Sequence, residues 1–196
     1  MKNIFFTTLA IAIGTAISAS AMAQTSATEV ERNVNQQQRI EQGLKSGELN
    51  SREAARLEKQ ESKVNRDEAR ALKDGKLSVA EKAKLQAEQN KVSQDIYREK
   101  HDAQKGNPDS ASSKRTQAEV QRNINQQQRI EAGVKSGELT KKETAKLEAG
   151  QAHVEHKEAK AGRNGHVSAR EEAGIQRAEN KQSADIHKQK HDAQVR

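Results

Sequence analysis

Four glycine-containing segments constrain the fold of this chain more than any other feature of its sequence. Each has the form Gly, any residue, Leu or Val, then Ser, Thr or Asn, two further residues and Glu; the glycines are Gly47, Gly75, Gly137 and Gly165. Glycine is favoured in the left-handed conformation just past the end of a helix. A Ser, Thr or Asn followed three residues later by Glu is typical of a capping box at the start of the next helix. The segments therefore predict four tight connections between helices.

The chain also contains an internal duplication. Residues 29–104 align with residues 119–194 at a constant offset and without a gap, and 40 of these 76 positions are identical. A duplication this close predicts two copies of one structural unit, at 24–105 and 118–196. Between them, residues 106–117 hold the only proline and are rich in small polar residues, which predicts a flexible linker.

Each copy is predicted to form three helices, in the first copy at about 28–45, 51–72 and 79–102. Apolar residues recur along these segments at helical spacing, as they do in coiled coils, and strand patterns are absent. Connections of about four residues favour antiparallel neighbours. The predicted fold is therefore all-α: a tandem duplication of a three-helix unit with antiparallel helices and short capped turns.

The apolar stripes are thin, because Glu61 and Glu68 lie on the apolar face of the second helix and large aliphatic residues are few. After the first 23 residues, Tyr97 is the only aromatic residue. A unit of this size with so few large side chains is marginally stable alone. Either self-association or a protein partner completes its core, or the chain is a weakly folded helical monomer. The other carboxylates are expected on helix surfaces beside Lys and Arg.

The first 23 residues have the pattern of a secretory signal peptide. Lys2 precedes an apolar run, and Ala21-Met22-Ala23 forms a small-x-small cleavage signal. The mature chain is predicted to begin near Gln24 and to be exported, to a bacterial periplasm or to the medium. No second apolar run has membrane length, so the mature chain is not expected to span a membrane. Cysteine is absent, so no disulfide is expected there.

Histidine supplies the candidate metal ligands. His187 and His191 are four residues apart and share a helical face, an arrangement that can hold zinc, copper or nickel. Two ligands alone make a weak site, and the first copy has Tyr97 and His101 at these positions. The alternative interpretation is a polar, solvent-facing side of the helix that happens to be rich in histidine.

No motif indicates catalysis, since the sequence has no cysteine, no glycine-rich phosphate loop and no nucleophile elbow. We therefore expect no enzyme activity, no catalytic residue and no cofactor. The formal net charge is +7, but Lys and Arg alternate with Glu and Asp and stacking aromatics are scarce. This pattern argues against nucleic acid as a partner.

The glycine segments resemble the second half of an EF-hand calcium loop. In the second segment the matching residues, at loop positions six, eight, nine and twelve, are Gly75, Leu77, Ser78 and Glu81. Loop positions one and three, however, carry Arg70 and Leu72, which offer no side-chain oxygen. The resemblance implies calcium binding only in a degenerate form, and the capping box accounts for the glutamate equally well.

The same segment, Leu77-Ser78-x-x-Glu81, is also similar to the Leu-Thr-x-x-Gln signature of the periplasmic Spy and CpxP helical proteins. That family includes small exported chaperones and envelope-stress factors, some of them metal-responsive. The repeat, with its Asn35-to-Ile40 segment, resembles small exported bacterial all-helical proteins whose role is not known. Three functions remain open: a helical binding or chaperone-like envelope protein, a weak metal-binding protein that uses histidine or calcium, and a hydrophilic stress-protection protein.

Overall fold

The polypeptide folds into α-helices joined by short turns. The structure, a computed structural model, describes residues 17–192, with side chains from residue 26 onward. Its helices are α1 (Ile17–Ser46), α2 (Ser51–Ala71), α3 (Val79–Lys100), α4 (Ala111–Ser136), α5 (Lys141–Ala161) and α6 (Ala169–Lys190), with a short 3-10 helix at Gly162–Asn164. No strand occurs between residues 17 and 192. The predicted all-α fold is confirmed.

The predicted signal peptide, residues 1–23, falls mainly outside the described residues. Its first 16 residues are not described, and the remainder forms the start of α1. Among the helices that the structure does describe, none has an apolar stretch of the length needed to cross a membrane.

The four glycine segments end and begin helices as predicted. All four glycines have positive φ, between 75° and 84°. The residues after them form complete capping boxes at the starts of α2, α3, α5 and α6; the pairs are Asn50 with Glu53, Ser78 with Glu81, Thr140 with Glu143 and Ser168 with Glu171. These glutamates therefore satisfy backbone N–H groups at helix starts.

The two copies pack against each other along their length instead of forming separate bodies. The most extensive helix pairs are α2 with α5 and α1 with α4, one helix from each copy. Val30 of the first copy lies in an apolar cluster with Ile130 of the second, and Val120 of the second lies in a cluster with Ile40 of the first. Each copy thus covers apolar surface of the other.

The connection between the copies is shorter than the predicted linker 106–117. Ser110 caps α4, which begins at Ala111, so the last seven residues of that range are helical. The backbone N–H of Gly106 donates to the carbonyl of Gly47, at 2.9 Å. Ser112 is buried, and its hydroxyl accepts from the backbone N–H of Val167, at 2.8 Å. These polar residues pack against other helices, which their composition alone does not reveal.

Helices α2 and α5 run antiparallel and meet around an internal two-fold relation. Ser62 Oγ donates to the carbonyl oxygen of Ala152 at 2.8 Å, and the Asn65 amide donates to both carboxylate oxygens of Glu155, at 2.7 and 2.9 Å. Both pairs join equivalent positions of the two copies. Contacts between equivalent positions are the signature of an isologous interface, as found in symmetric dimers.

We expect residues 24–105, expressed alone, to form a dimer. The isolated copy retains half of each inter-copy interface, and its Asn65 amide can pair with a second Asn65. Analytical ultracentrifugation measures the association. Residues 118–196 are the matched comparison: they bring Glu155 against Glu155 and should dimerise more weakly above pH 7. A stably helical monomer of 24–105 would contradict this prediction.

Substitution of Gly47 by valine should destabilise the fold by about 1 kcal/mol or more, because a β-branched residue is strained at positive φ. The φ of Gly47 is 75°, and a Cβ there would lie 3.1 Å from the carbonyl oxygen of Gly106. Gly174→Ala is the control: it lies in α6, its added Cβ meets only the tip of Arg177 at 3.8 Å, and it should be stabilising by about 0.5–1 kcal/mol. Urea unfolding measures the stability of each variant relative to the wild type. A Gly47→Val midpoint equal to that of the wild type would contradict the predicted strain.

Candidate functional site

Six glutamates occupy the interior where α2 and α5 meet, and we call them the carboxylate layer. They are 0 to 4% exposed, and they are Glu58, Glu61, Glu68, Glu148, Glu155 and Glu158. Glu61 and Glu68 lie on the buried face of α2, as expected, whereas the expectation that the other carboxylates lie on helix surfaces is wrong for Glu58, Glu148, Glu155 and Glu158. Carboxylates are among the side chains least often fully buried, so this layer is the most unusual feature of the fold.

The layer arises because α2 is covered on two sides. Leu57 and Val64 of α2 join an apolar cluster with Ile40 of α1 and Ile96 of α3. Residues one position further around the helix, such as Glu58, turn toward the second copy instead. Spacings of three and seven residues, about one and two turns, keep the glutamates of one helix in a single row. The other wall of the layer is the equivalent row on α5.

The buried carboxylates accept hydrogen bonds from neutral amides. The donor and acceptor pairs are Gln37 to Glu58 (3.0 Å), Asn33 to Glu68 (3.1 Å), Asn65 to Glu155 (2.7 Å), Asn123 to Glu158 (2.7 Å) and Gln127 to Glu148 (3.2 Å). None of the ion pairs formed by the described residues includes a member of the layer. Both oxygens of Glu61 lack a hydrogen-bond donor within the described part of the chain. Neutral amide groups, and not Lys or Arg side chains, are thus the hydrogen-bond donors to the layer in the described part of the chain.

Burial dominates the acid–base behaviour of the layer. Desolvation raises the pKa of Glu58 and the pKa of Glu148 to about 7, against a small lowering effect from the amides that bond them. For Glu61, burial and then the nearby Glu58 carboxylate raise the pKa well above its usual value. Burial first, and Glu58 next, do the same to the pKa of Glu155 and of Glu158. In neutral solution these groups therefore hold protons that ordinary glutamates have lost.

A small cavity adjoins one end of the layer. It has a volume of about 10 Å³ and is lined by Glu58 of α2, Glu119 of α4 and Glu158 of α5, together with Gly162. A cavity of this size is close to the smallest that can hold one water molecule. Glu119 is 3% exposed, and neither of its oxygens has a hydrogen-bond donor among the described residues. Burial, followed by the charge of Glu179, raises the pKa of Glu119 to about 8.

The structure leaves the two predicted histidine ligands on the surface. His187 and His191 are both exposed, and their rings stack with centroids 4.2 Å apart and an interplanar angle of 16°. Nitrogen lone pairs lie in the ring plane, so stacked rings direct them side by side and not toward a common point. His191 Nδ1 lies 2.8 Å from the carbonyl oxygen of His187. In the described chain, no third metal-ligating side chain joins this pair.

One group of three carboxylates does bring its oxygen atoms close together. Glu53, Glu99 and Asp102 each place one oxygen within 4.8 Å of the others, near the start of α2 and the end of α3. Glu53 is the residue at position twelve of the EF-hand resemblance, and here it accepts from the N–H of Asn50 as a helix cap, at 2.9 Å. Glu99 lies 3.8 Å from Arg56. Glu53 is thus a helix cap, Glu99 faces a cation, and Asp102 accepts hydrogen bonds from Gln104.

Part of the layer was visible in the sequence and part was not. Glu61 and Glu68 interrupt an apolar stripe, and this interruption is the signal that locates them. On α5 the corresponding signal is weaker, because Glu148, Glu155 and Glu158 lie among alanines and histidines and not within a strong apolar stripe. Their burial depends on the contact between copies.

Comparison of the chain with protein-family models, with curated proteins and with solved structures finds no match in any of the three. The function of the site is therefore inferred from its own geometry.

The fold should be most stable in acid and should lose stability as the pH rises. Groups whose folded-state pKa is raised stabilise the fold fully below their unfolded pKa, about 4.5, and that stability is lost as the pH passes through about 7 to 8. The melting temperature should therefore fall between pH 5 and pH 9. Circular dichroism melts at low ionic strength in EDTA measure it.

The substitution Glu61→Gln tests whether the buried glutamates cause the predicted fall in melting temperature with pH. It introduces the residue that the second copy has at the equivalent position, Gln151, and it removes a buried ionisable group. It should raise the melting temperature above pH 7 and change little at pH 5. The control Glu31→Gln makes the same change of side chain outside the layer, where Glu31 forms only an exposed pair with Lys135 at 3.4 Å, and it should leave the pH profile unchanged. A melting temperature that rises toward pH 9 would show that the layer is ionised in the folded protein at no cost.

Proposed function

We propose that this chain is an exported, non-enzymatic helical binding protein of chaperone-like type. Its helices pack tightly while the carboxylate layer is protonated and loosen as the layer ionises. The single observation that supports this proposal is the set of six buried glutamates, bonded to amides, at the contact between the two copies. Because the layer lies between the copies, ionisation acts on the contact that holds them together.

The size of the effect is sufficient for such a switch. A shift of one pKa unit corresponds to about 1.4 kcal/mol. Glu58 rises from 4.5 to about 7 on folding, so ionising it in the folded state costs about 3 kcal/mol, and Glu148 adds a similar amount. A domain is typically stable by about 5–15 kcal/mol in total. Ionisation of two members of the layer therefore removes a large part of the stability.

Loosening would uncover apolar surface suited to binding unfolded segments. Two apolar clusters lie at the contacts between copies. One contains Ile40, Leu57 and Val120, and the other contains Val30 and Leu147. Once separated, each helix presents an amphipathic face of the kind that binds extended or helical apolar segments. A hydrophilic stress-protection protein would need little of this buried hydrogen-bond network.

The closed surface favours acidic partners. A groove of about 400 Å³ is lined by Arg52, Arg56, Lys59 and Arg163, beside alanines. The formal charge of +7 counts every glutamate as ionised. Protons bound by the layer make the net charge of the protein more positive than this value. Positive surfaces of this kind speed encounters with acidic proteins.

Binding should depend on loosening, and variants that differ only in the layer test this. An acidic protein unfolded by reduction of its disulfides serves as the client, at pH 8 in EDTA, with its aggregation followed by light scattering. The wild-type protein should suppress aggregation, and Glu61→Gln, which keeps the helices closed at this pH, should suppress it markedly less. Glu31→Gln, the same substitution at an exposed position outside the layer, should behave as wild type. Equal suppression by Glu61→Gln and wild type would rule out binding through the loosened state.

A further inference from the structure

We propose that the groove between α5 and α6 is a binding site for a compact polyanion, a small hydrophilic molecule that carries several phosphate or carboxylate groups. The groove has a volume of about 530 Å³, and ligand pockets in proteins measure about 300–1,000 Å³. No glutamate of the carboxylate layer lines it. The site is therefore separate from the contact between the two copies and does not rest on the proposed function.

Basic side chains line the groove from both helices. His153 and Lys157 belong to α5, and Arg177 and Lys181 belong to α6. Lys181 is paired with Asp185 of its own helix, at 2.5 Å. The other three side chains form no ion pair or hydrogen bond with any residue that the structure describes. Arginine offers oxyanions a planar fork of donors, and lysine offers a compact charge, so these side chains are suited to bind an anion from outside the chain.

The equivalent surface of the first copy is neutralised by its own carboxylates. Asp67 stands in the place of Lys157 and pairs with Lys63 at 3.2 Å. Glu88 stands in the place of Ala178 and pairs with the same lysine. At the nine positions that line the groove, the first copy has three cations and three carboxylates, whereas the second has three cations, one histidine and one carboxylate. The excess of positive charge is thus a property of the second copy.

Glycine opens the groove in the second copy alone. Gly150 and Gly174 line it, and the first copy has Gln60 and Lys84 at these two positions. In the first copy, Lys84 reaches from α3 to Asp67 of α2, with Nζ 3.0 Å from the carboxylate oxygen. A side chain therefore spans the equivalent space there, while the second copy leaves that space free for a ligand.

The floor of the groove is polar. Gln182 is 3% exposed, and an added Cβ on Gly150 would lie 2.0 Å from its Oε1, so the glutamine occupies the space that a side chain there would need. The first copy has Val92 at this position, in an apolar cluster with Ile40. Among the described residues that line the groove, none is aromatic or large and aliphatic. Nucleic-acid bases would find no stacking platform and a protein partner no apolar anchor, so the groove favours a compact, hydrophilic anion.

Isothermal titration calorimetry of the full chain with tripolyphosphate tests the site, at pH 6 in metal-free buffer of low ionic strength. At this pH the carboxylate layer is largely protonated, so the helices stay closed whether or not the proposed function is correct. The wild type should bind one tripolyphosphate. Lys157→Asp introduces the residue of the first copy and should weaken the Kd at least about tenfold. Lys59→Asp makes the same change of charge in the other basic groove, on α2, and should bind as the wild type does.

A second variant separates the shape of the groove from its charge. Gly174→Leu fills part of the groove without changing the charge. Its added Cβ meets only the tip of Arg177, at 3.8 Å, and leucine is a better helix former than glycine, so the variant should fold. Its Kd for tripolyphosphate should also be about tenfold weaker. Titration of the wild type with citrate shows whether the groove binds carboxylate groups more or less tightly than phosphate groups.

Three results would overturn the site. The first is a wild-type protein that binds neither anion. The second is a Lys59→Asp variant that loses as much affinity as Lys157→Asp, since net charge alone would then explain the binding. The third is wild-type affinity in Lys157→Asp or in Gly174→Leu, which would place the anion outside the groove. Circular dichroism of each variant shows whether its helices are intact, so that a loss of binding is assigned to the groove and not to unfolding.

Discussion

The burial of carboxylates between α2 and α5 is the constraint on which the rest of the structure depends. An ionised carboxylate in an apolar interior is very costly unless it is paired with a cation. This interior supplies amides, as in the bond from Asn65 to Glu155, and amides compensate only part of that cost. Burial therefore links the stability of the contact between the two copies to the protonation of the layer: the contact is most stable when the layer is protonated and loses stability as the layer ionises.

The thin apolar stripes follow from the same arrangement. A helix that buries only one face needs one continuous apolar row, but α2 is covered on one side by its own copy and on the other by α5. Leu57 lies in an apolar cluster with residues of α1 and α4, and Glu58 and Glu68 accept hydrogen bonds from α1 while they border the second copy. Each copy has few large side chains, and each contributes one to a cluster of the other: Val30 packs in the cluster of Ile130, and Val120 packs in the cluster of Ile40.

Local features could be read from the sequence, and long-range contacts could not. The positive φ of Gly47 and the capping box of Asn50 with Glu53 depend on a few neighbouring residues, so their pattern locates the start of α2 at Ser51. The helical start of α4 was missed because the small polar residues around Ser112 resemble a loop, although their burial against other helices makes them helical here. Glu61 was recognised as misplaced on an apolar face, but what covers it could not be known before the copies were seen to pack together. The position of the cavity depends on that packing as well.

Differences between the copies show what a duplication in one chain permits. In a symmetric dimer of identical units, each residue on the two-fold relation faces a copy of itself, so a carboxylate would meet a carboxylate. Within one chain, Asn65 instead meets Glu155, and the Ser62 hydroxyl meets the carbonyl of Ala152. A second Asn65 could also pair with Asn65, but a carboxylate on the two-fold relation gains a donor only because the two copies differ at that position. The same divergence replaces Leu72 by Gly162 and so leaves a cavity beside only one of two otherwise similar rows of glutamates. Covalent fusion therefore turns a self-complementary interface into one whose two ends can differ in chemistry.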